Sequence, residues 1–180
     1  MRRFRDRMKP VREPTRVWYL ELREPERLRP ARRVEGLEVV RAEIPVGALN
    51  RFFYLEVGRE HHWIDLSAWS DEQWQRHAER MATMVGSFRG TPCGYGELDR
   101  RPDGTVNVAY FGLLKPFQGR GIGGHMLTEV VRGAWALGAT RVTLNTYEVD
   151  GPHALDNYRA RGFEVIREVV EQRSRSPRAS

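Results

Sequence analysis

Gln118-Gly-Arg-Gly-Ile-Gly-Gly124 stands between an apolar run with strand character, residues 106–114, and a helical one, residues 122–137. A strand that ends in a glycine-rich loop and opens a helix gathers several unpaired backbone N–H groups at one point. The positive end of the helix dipole lies there too, so the segment is a ready seat for a diphosphate. Glycine lets the backbone approach phosphate oxygens where a side chain would intrude.

Three readings of the loop compete. A Walker-type phosphate loop needs Lys and Ser/Thr after its last glycine, and Gly124 is followed by His125 and Met126. Gly119, Gly121 and Gly124 satisfy a dinucleotide fingerprint, with Glu148 as the acidic residue expected roughly 20 positions on. A lone match of that kind is weak, and a doubly wound sheet would start with such a loop and run on beyond Ser180. The third reading begins one residue earlier. Gln118-x-x-Gly121-x-Gly123 resembles the acyl-CoA pyrophosphate signature of the GNAT superfamily of N-acetyltransferases. Pro152-His-Ala-Leu-Asp-Asn-Tyr-Arg-Ala-Arg-Gly-Phe163 resembles the second signature of the same superfamily, a short helix bearing a Tyr and ending in Gly-Phe. The two signatures are separated, as in that superfamily, by a helix and a strand. The resemblance covers about residues 91–168. Two positions depart from it: Gly151 stands where an Asn is common, and the Pro that opens the loop is displaced to Lys115-Pro116.

The resemblance implies an α/β fold, a central mixed β-sheet with helices on both faces. It implies acetyl-CoA as co-substrate, with no metal. The diphosphate would lie on Gln118, Gly119, Arg120, Gly121, Ile122, Gly123 and Gly124, and the pantetheine arm along Phe111, Gly112, Leu113 and Leu114. Tyr158 matches the superfamily's general acid. A phenol is protonated at neutral pH and can donate as a thiolate forms.

Composition sets bounds on this reading. With 180 residues, 40% of them hydrophobic, the chain has the size of one domain with a substantial core. No apolar run approaches the roughly 18 residues of a membrane span, and the N-terminus lacks the apolar stretch of a secretory signal. The single cysteine, Cys93, excludes an internal disulfide, which suits a reducing cytoplasm. In a strand-like run beside small residues, Cys93 reads as packed rather than nucleophilic. The net charge of +6 invites a nucleic-acid reading, yet much of the excess sits in the two ends. Residues 1–15 and 171–180 read as mobile tails, which leaves 16–170 as the domain. No nucleic-acid-binding motif is visible.

Hydrophobic periodicity then places the elements. Residues 16–22 and 37–44 read as strands, 23–33 as a Pro- and Arg-rich connector, and 46–57 as a helix. Ser70, with Gln73 three residues on, predicts a capped helix running to about Val85. Residues 91–98 and 105–114 form a hairpin across the turn at 101–104. Helix 122–137, strand 140–146, helix 152–161 and strand 163–170 follow.

Acetyl transfer to an amine needs a base as well as an acid. On strand 91–98, Glu97 and Tyr95 share a face. Glu97 is expected to emerge among Tyr95, Phe111 and Leu113, partly desolvated, and to take the amine's proton, with Asp99 and Glu148 as fallbacks. The acceptor is expected to meet Glu60, His62, Trp63, Asp65, Tyr95 and Glu148, because residues 54–72 are acidic and aromatic. Carboxylates at the start of the second helix also serve its dipole, so part of that acidity is structural. The adjacent His61 and His62 have no third metal ligand at suitable spacing.

These residues together predict a cytoplasmic N-acetyltransferase acting on a small cationic amine. An aminoglycoside or amino-sugar antibiotic leads, giving resistance or self-protection, with no nucleic-acid or membrane partner and a homodimer as a candidate assembly. The alternatives are a lysine or α-amino group of a peptide or protein, and a non-catalytic acyl-CoA sensor.

Overall fold

The structure is a computed structural model that describes residues 11–59, 61, 63–151 and 153–175. Seven strands form one sheet in the order β2-β3-β4-β5-β6-β1-β7. They are β1 (Val11–Leu22), β2 (Leu37–Arg41), β3 (Ala82–Phe88), β4 (Thr91–Arg100), β5 (Thr105–Leu113), β6 (Arg141–Tyr147) and β7 (Glu164–Arg175). Every neighbouring pair is antiparallel except β5 and β6, which run parallel. The parallel pair is joined by the crossover helix α3 (Ile122–Ala136).

Helices cover both faces, as the sequence predicts. On one, Ile122, Met126, Leu127, Val130, Val131 and Ala134 turn the apolar stripe of α3 onto the sheet. There Leu127, Val130, Val131 and Ala134 meet Val106 and Val108 of β5, Val142 and Leu144 of β6, and Leu20 and Leu22 of β1, while Ile122 and Met126 pack with Leu37 and Cys93. Tyr158 of α4 (Ala154–Ala160) and Phe163 join the same cluster. On the other face, Phe53 and Val57 of α1 (Gly47–Gly58) pack on Tyr95, with α2 (Asp71–Arg80) alongside. No helix among the described residues is long and apolar enough to cross a membrane.

The largest departure from the sequence reading follows Ser70. The capping box forms as predicted, Ser70 Oγ accepting from Gln73 N–H and the Gln73 side chain accepting from Ser70 N–H. The helix stops at Arg80, however, and Ala82–Phe88 is a strand between β2 and β4 rather than the helix's last turn. Ala82, Thr83, Met84 and Gly86 are all buried, because helices cover both sides of the sheet here. Such a run shows no alternation between apolar and polar residues, so periodicity cannot tell it from a buried helix end.

Smaller shifts have a similar origin. β1 begins at Val11 rather than residue 16, and β7 runs to Arg175, because the two pair from Val11↔Arg175 inward. β2 ends at Arg41 rather than residue 44.

The feature that creates the site is an irregularity in β5. Glu97 pairs with Tyr110 and Leu98 with Val108, so Ala109 is an extra residue, a β-bulge. The parallel pairing with β6 ends at the same place, its last pair being Val108↔Leu144. A bulge bends the strand that carries it, so beyond Val108 the strand β5 leaves β6 and a gap opens through the sheet.

Candidate active site

A cavity of about 200 Å³ occupies that gap. Val108, Ala109, Tyr110 and Phe111 line it from β5, and Asn145 and Tyr147 from β6. Tyr54, His61, Trp63 and Asp65 close it on the α1 side, and Asp150, Ala154 and Tyr158 on the α4 side. Seven of these thirteen lining residues carry an aromatic ring. Tyr110 sits 5.2 Å from both Tyr54 and Trp63, measured between ring centres. Tyr54 is held by Leu66 N–H, which donates to its hydroxyl at 3.1 Å.

Tyr158 stands at the floor, nine-tenths buried between Phe111 and Phe163. Burial, helped by the charge of Asp150, pushes its phenol well above the ordinary range. The hydroxyl therefore keeps its proton through neutral and moderately alkaline pH. Burial likewise raises Tyr110, with the nearby Tyr54, Glu97 and Asp65 adding to the shift.

The rim of the gap carries free backbone groups. Leu114 N–H donates to Cys93 O across the β4–β5 pair, so it cannot serve a ligand as the sequence reading expects. Alternation along the strand turns the N–H groups of Phe111 and Leu113 the other way, toward the gap. Gln118 confirms this direction, since its side-chain amide donates to Leu113 O at 3.1 Å and ties the glycine loop to the strand. The loop then enters α3 through Gly119 and Gly121, at φ of 71° and 74°. α3 has neither a side-chain cap nor an acidic residue in its first turn, so its N-terminal N–H groups and dipole are uncompensated. A Cβ built on Gly119 or Gly121 meets nothing within 4 Å among the described residues. Space and donors for a diphosphate thus lie beside a strand edge suited to an amide-bearing arm, the demands that acetyl-CoA makes of a site.

Branched side chains in this loop should fill the phosphate space. Gly121→Val and Gly123→Val are each expected to weaken acetyl-CoA binding tenfold or more, measured by calorimetric titration. Gly123 is already helical, and a Cβ there makes ordinary contacts with Leu113 and Asn157, so that variant separates lost binding from backbone strain.

The carboxylates are distributed otherwise than the sequence suggests. Glu97 is fully buried and does not line the cavity. Its oxygens are engaged by Asn50 Nδ2 at 2.7 Å and His77 Nε2 at 2.5 Å, and Asn50 also donates to Thr83 Oγ1. Its cross-strand neighbour is Tyr110, not Phe111 or Leu113, which pack on the opposite face against Ile122 and Met126. Tyr95, expected near the acceptor, lies in the core, stacked on Phe53 at 5.0 Å. Glu148 is exposed and outside the cavity lining, and Asp99 faces Arg80 at 3.6 Å. Trp63 and Asp65 do line the cavity. Glu60 and His62 fall outside the described residues.

Tyr54, Tyr110, Tyr147 and Asp150 were not legible as site residues. Tyr110 carries the nearest signal, since it neighbours Phe111 and directly faces Glu97, but the bulge that turns it into the gap leaves no mark in the sequence. Cys93 is buried against Leu37, Ile122 and Met126, and burial raises its thiol, as suits a packed residue. Among the described residues no group of three His, Cys, Asp or Glu side chains is placed to hold a metal.

Comparison with known proteins agrees with this architecture. Residues 48–163 match the family described as acetyltransferase (GNAT). A GCN5-related N-acetyltransferase from Kribbella flavida is similar over 89% of this chain and 58% of its own, at 20% identity and a TM-score of 0.65. One from Sphaerobacter thermophilus is similar over 91% and 52%, at 19% identity and a TM-score of 0.64. This chain therefore spans little more than half of those two structures. No curated protein matches it.

Proposed function

Because the chain belongs to the acetyltransferase (GNAT) family, we propose that it moves an acetyl group from acetyl-CoA to the primary amine of a small cationic molecule, an aminoglycoside or amino-sugar antibiotic foremost. The observation that carries this reading is the lining of the cavity. Four aromatic residues, Tyr54, Trp63, Tyr110 and Tyr147, surround a space that two carboxylates, Asp65 and Asp150, border. Ring faces and carboxylates both attract an ammonium group, the more strongly as water is excluded. A neutral or anionic acceptor would leave the charge of those carboxylates uncompensated.

Acetyl-CoA supplies the activated acyl group. The N–H groups at residues 119–124 hold its diphosphate, and those of Phe111 and Leu113 hold the arm. Tyr158 delivers a proton to the departing sulfur. The small volume of the cavity suits one amino-bearing ring or chain end, with the rest of the acceptor left at the mouth near exposed Asp65. Acetylation removes the charge of the amine, which is the route by which such an enzyme would disarm a cationic antibiotic.

Following thiol release from acetyl-CoA across a panel of amines tests the assignment. Glucosamine, aliphatic diamines and aminoglycosides are expected to turn over. Added salt should raise their KM, because the pairing at Asp65 is open to solvent. A lysine peptide that outcompetes every small cation would replace this acceptor with a protein amine.

A further inference from the structure

We propose that Asp150, just beyond β6, is the carboxylate that holds the acceptor's ammonium group and takes its first proton. The proposal rests on the reading of the cavity as the acceptor site. Three carboxylates near the gap differ in their surroundings. Glu97 is sealed behind Tyr110, with both oxygens occupied. Asp65 borders the cavity but is exposed. Asp150 lines the cavity and is neither sealed nor fully solvated.

Its two oxygens have different roles. Oδ2 accepts from Tyr147 N–H at 2.7 Å and from the Thr146 hydroxyl at 3.0 Å, which fixes the side chain on the turn after β6. Oδ1 is withdrawn from water and has no donor among the described residues. A carboxylate oxygen buried without a partner is costly in a folded protein, and a donor from water, an ion or a ligand can complete its bonding. A cationic amine brings N–H donors and the opposite charge. Tyr158 is close enough for the charge of Asp150 to raise its phenol. The proton acceptor and the proton donor thus share one end of the cavity, where the nitrogen and the sulfur must meet.

The protons balance over this pair. The acceptor nitrogen begins as an ammonium with three protons and ends as an amide with one. Asp150 takes the first, which frees the lone pair for attack on the thioester carbonyl. As the C–N bond forms and the C–S bond breaks, Tyr158 gives its proton to sulfur, and the second proton leaving nitrogen restores the phenol. Asp150 then releases its proton to solvent. Among the described residues, the other titratable groups lining the cavity are Tyr54 of α1, His61 and Asp65 of the segment after it, Tyr110 of β5, and Tyr147. His61 is the competitor for the role of base, lying 3.8 Å from a Cβ built on Gly151.

The test is the pH dependence of kcat/KM for glucosamine, or for whichever amine turns over best. Asp150→Asn keeps an oxygen for Tyr147 N–H and removes the charge. It should cost about 100-fold at pH 7, with the deficit shrinking below about 10-fold by pH 9.5 as solution supplies neutral amine. The affinity for acetyl-CoA, measured by calorimetry, should stay within about twofold of wild type. In Asp150→Ala, formate should restore part of the lost rate. A deficit that stays constant with pH, no formate rescue, or the same pH-dependent deficit in His61→Gln or Glu97→Gln would overturn the assignment. If wild type transfers to an amine and Asp150→Asn matches it, only this proposal fails. If wild type transfers to no amine, the functional reading fails with it.

Discussion

Replacing Tyr158 by phenylalanine is expected to lower turnover about 100-fold while the dissociation constant of acetyl-CoA stays within about twofold. The substitution removes one hydroxyl and leaves the ring between Phe111 and Phe163, so the floor of the cavity keeps its shape. A thiolate that must leave without a proton donor loses the share of rate that a positioned acid supplies. The raised phenol also predicts the alkaline side of the profile. Because burial and Asp150 hold the proton on Tyr158, its ionisation should cause no loss of turnover below about pH 10, the ordinary phenol value. Turnover equal to wild type in Tyr158→Phe, measured from pH 6 to 10, would make the tyrosine a packing residue.

The second large effect concerns stability. His77→Ala would strip Glu97 of a partner inside a cluster where both are almost fully buried. Breaking a buried pair from one side costs about 3–5 kcal/mol. For a chain of this size each kcal/mol lowers Tm by roughly 2–4 °C, so a drop on the order of 10 °C is expected by calorimetry. Because neither residue lines the cavity, the folded fraction should retain kcat within a few-fold of wild type. Glu97→Gln, which keeps an oxygen for Asn50, should be milder in stability and equally mild in rate. A loss of transfer in Glu97→Gln with an unchanged melting point would return Glu97 to the role of base.

Those two residues illustrate how far the sequence carries. The glycine loop and the elements around it are legible because each depends on local chemistry: glycines at positive φ, a helix start, a strand of adequate length. Tyr158 stands out only through the resemblance of residues 152–163 to the family's second signature. The neighbours of Glu97 are not legible. Which side chains oppose one another depends on register, and a single bulge at Ala109 resets it for the rest of β5. His77 and Asn50 reach Glu97 from separate helices across 20 and 47 positions of sequence, a distance over which no periodicity speaks.

Asp150 is hard to read from sequence for a related reason. It looks like a turn residue, and half of it is one, since Oδ2 caps the end of β6. Its place in the lining of Tyr158's cavity, together with an Oδ1 that no described residue engages, separates it from an ordinary cap. Strand β3 was lost because burial on both faces erases the alternation that marks a strand. The acidic stretch 54–72, by contrast, yielded Trp63 and Asp65 at the cavity because composition alone marked it.

The most direct measurement is a crystal structure of the full chain with acetyl-CoA bound. The diphosphate should rest on backbone N–H groups between Gly119 and Gly124, the arm on Phe111 and Leu113, and the thioester in the gap between β5 and β6 beside Tyr158. Acetyl-CoA bound along the outer groove between α3 and β2, or a gap that stays closed to it at saturating concentration, would contradict the account.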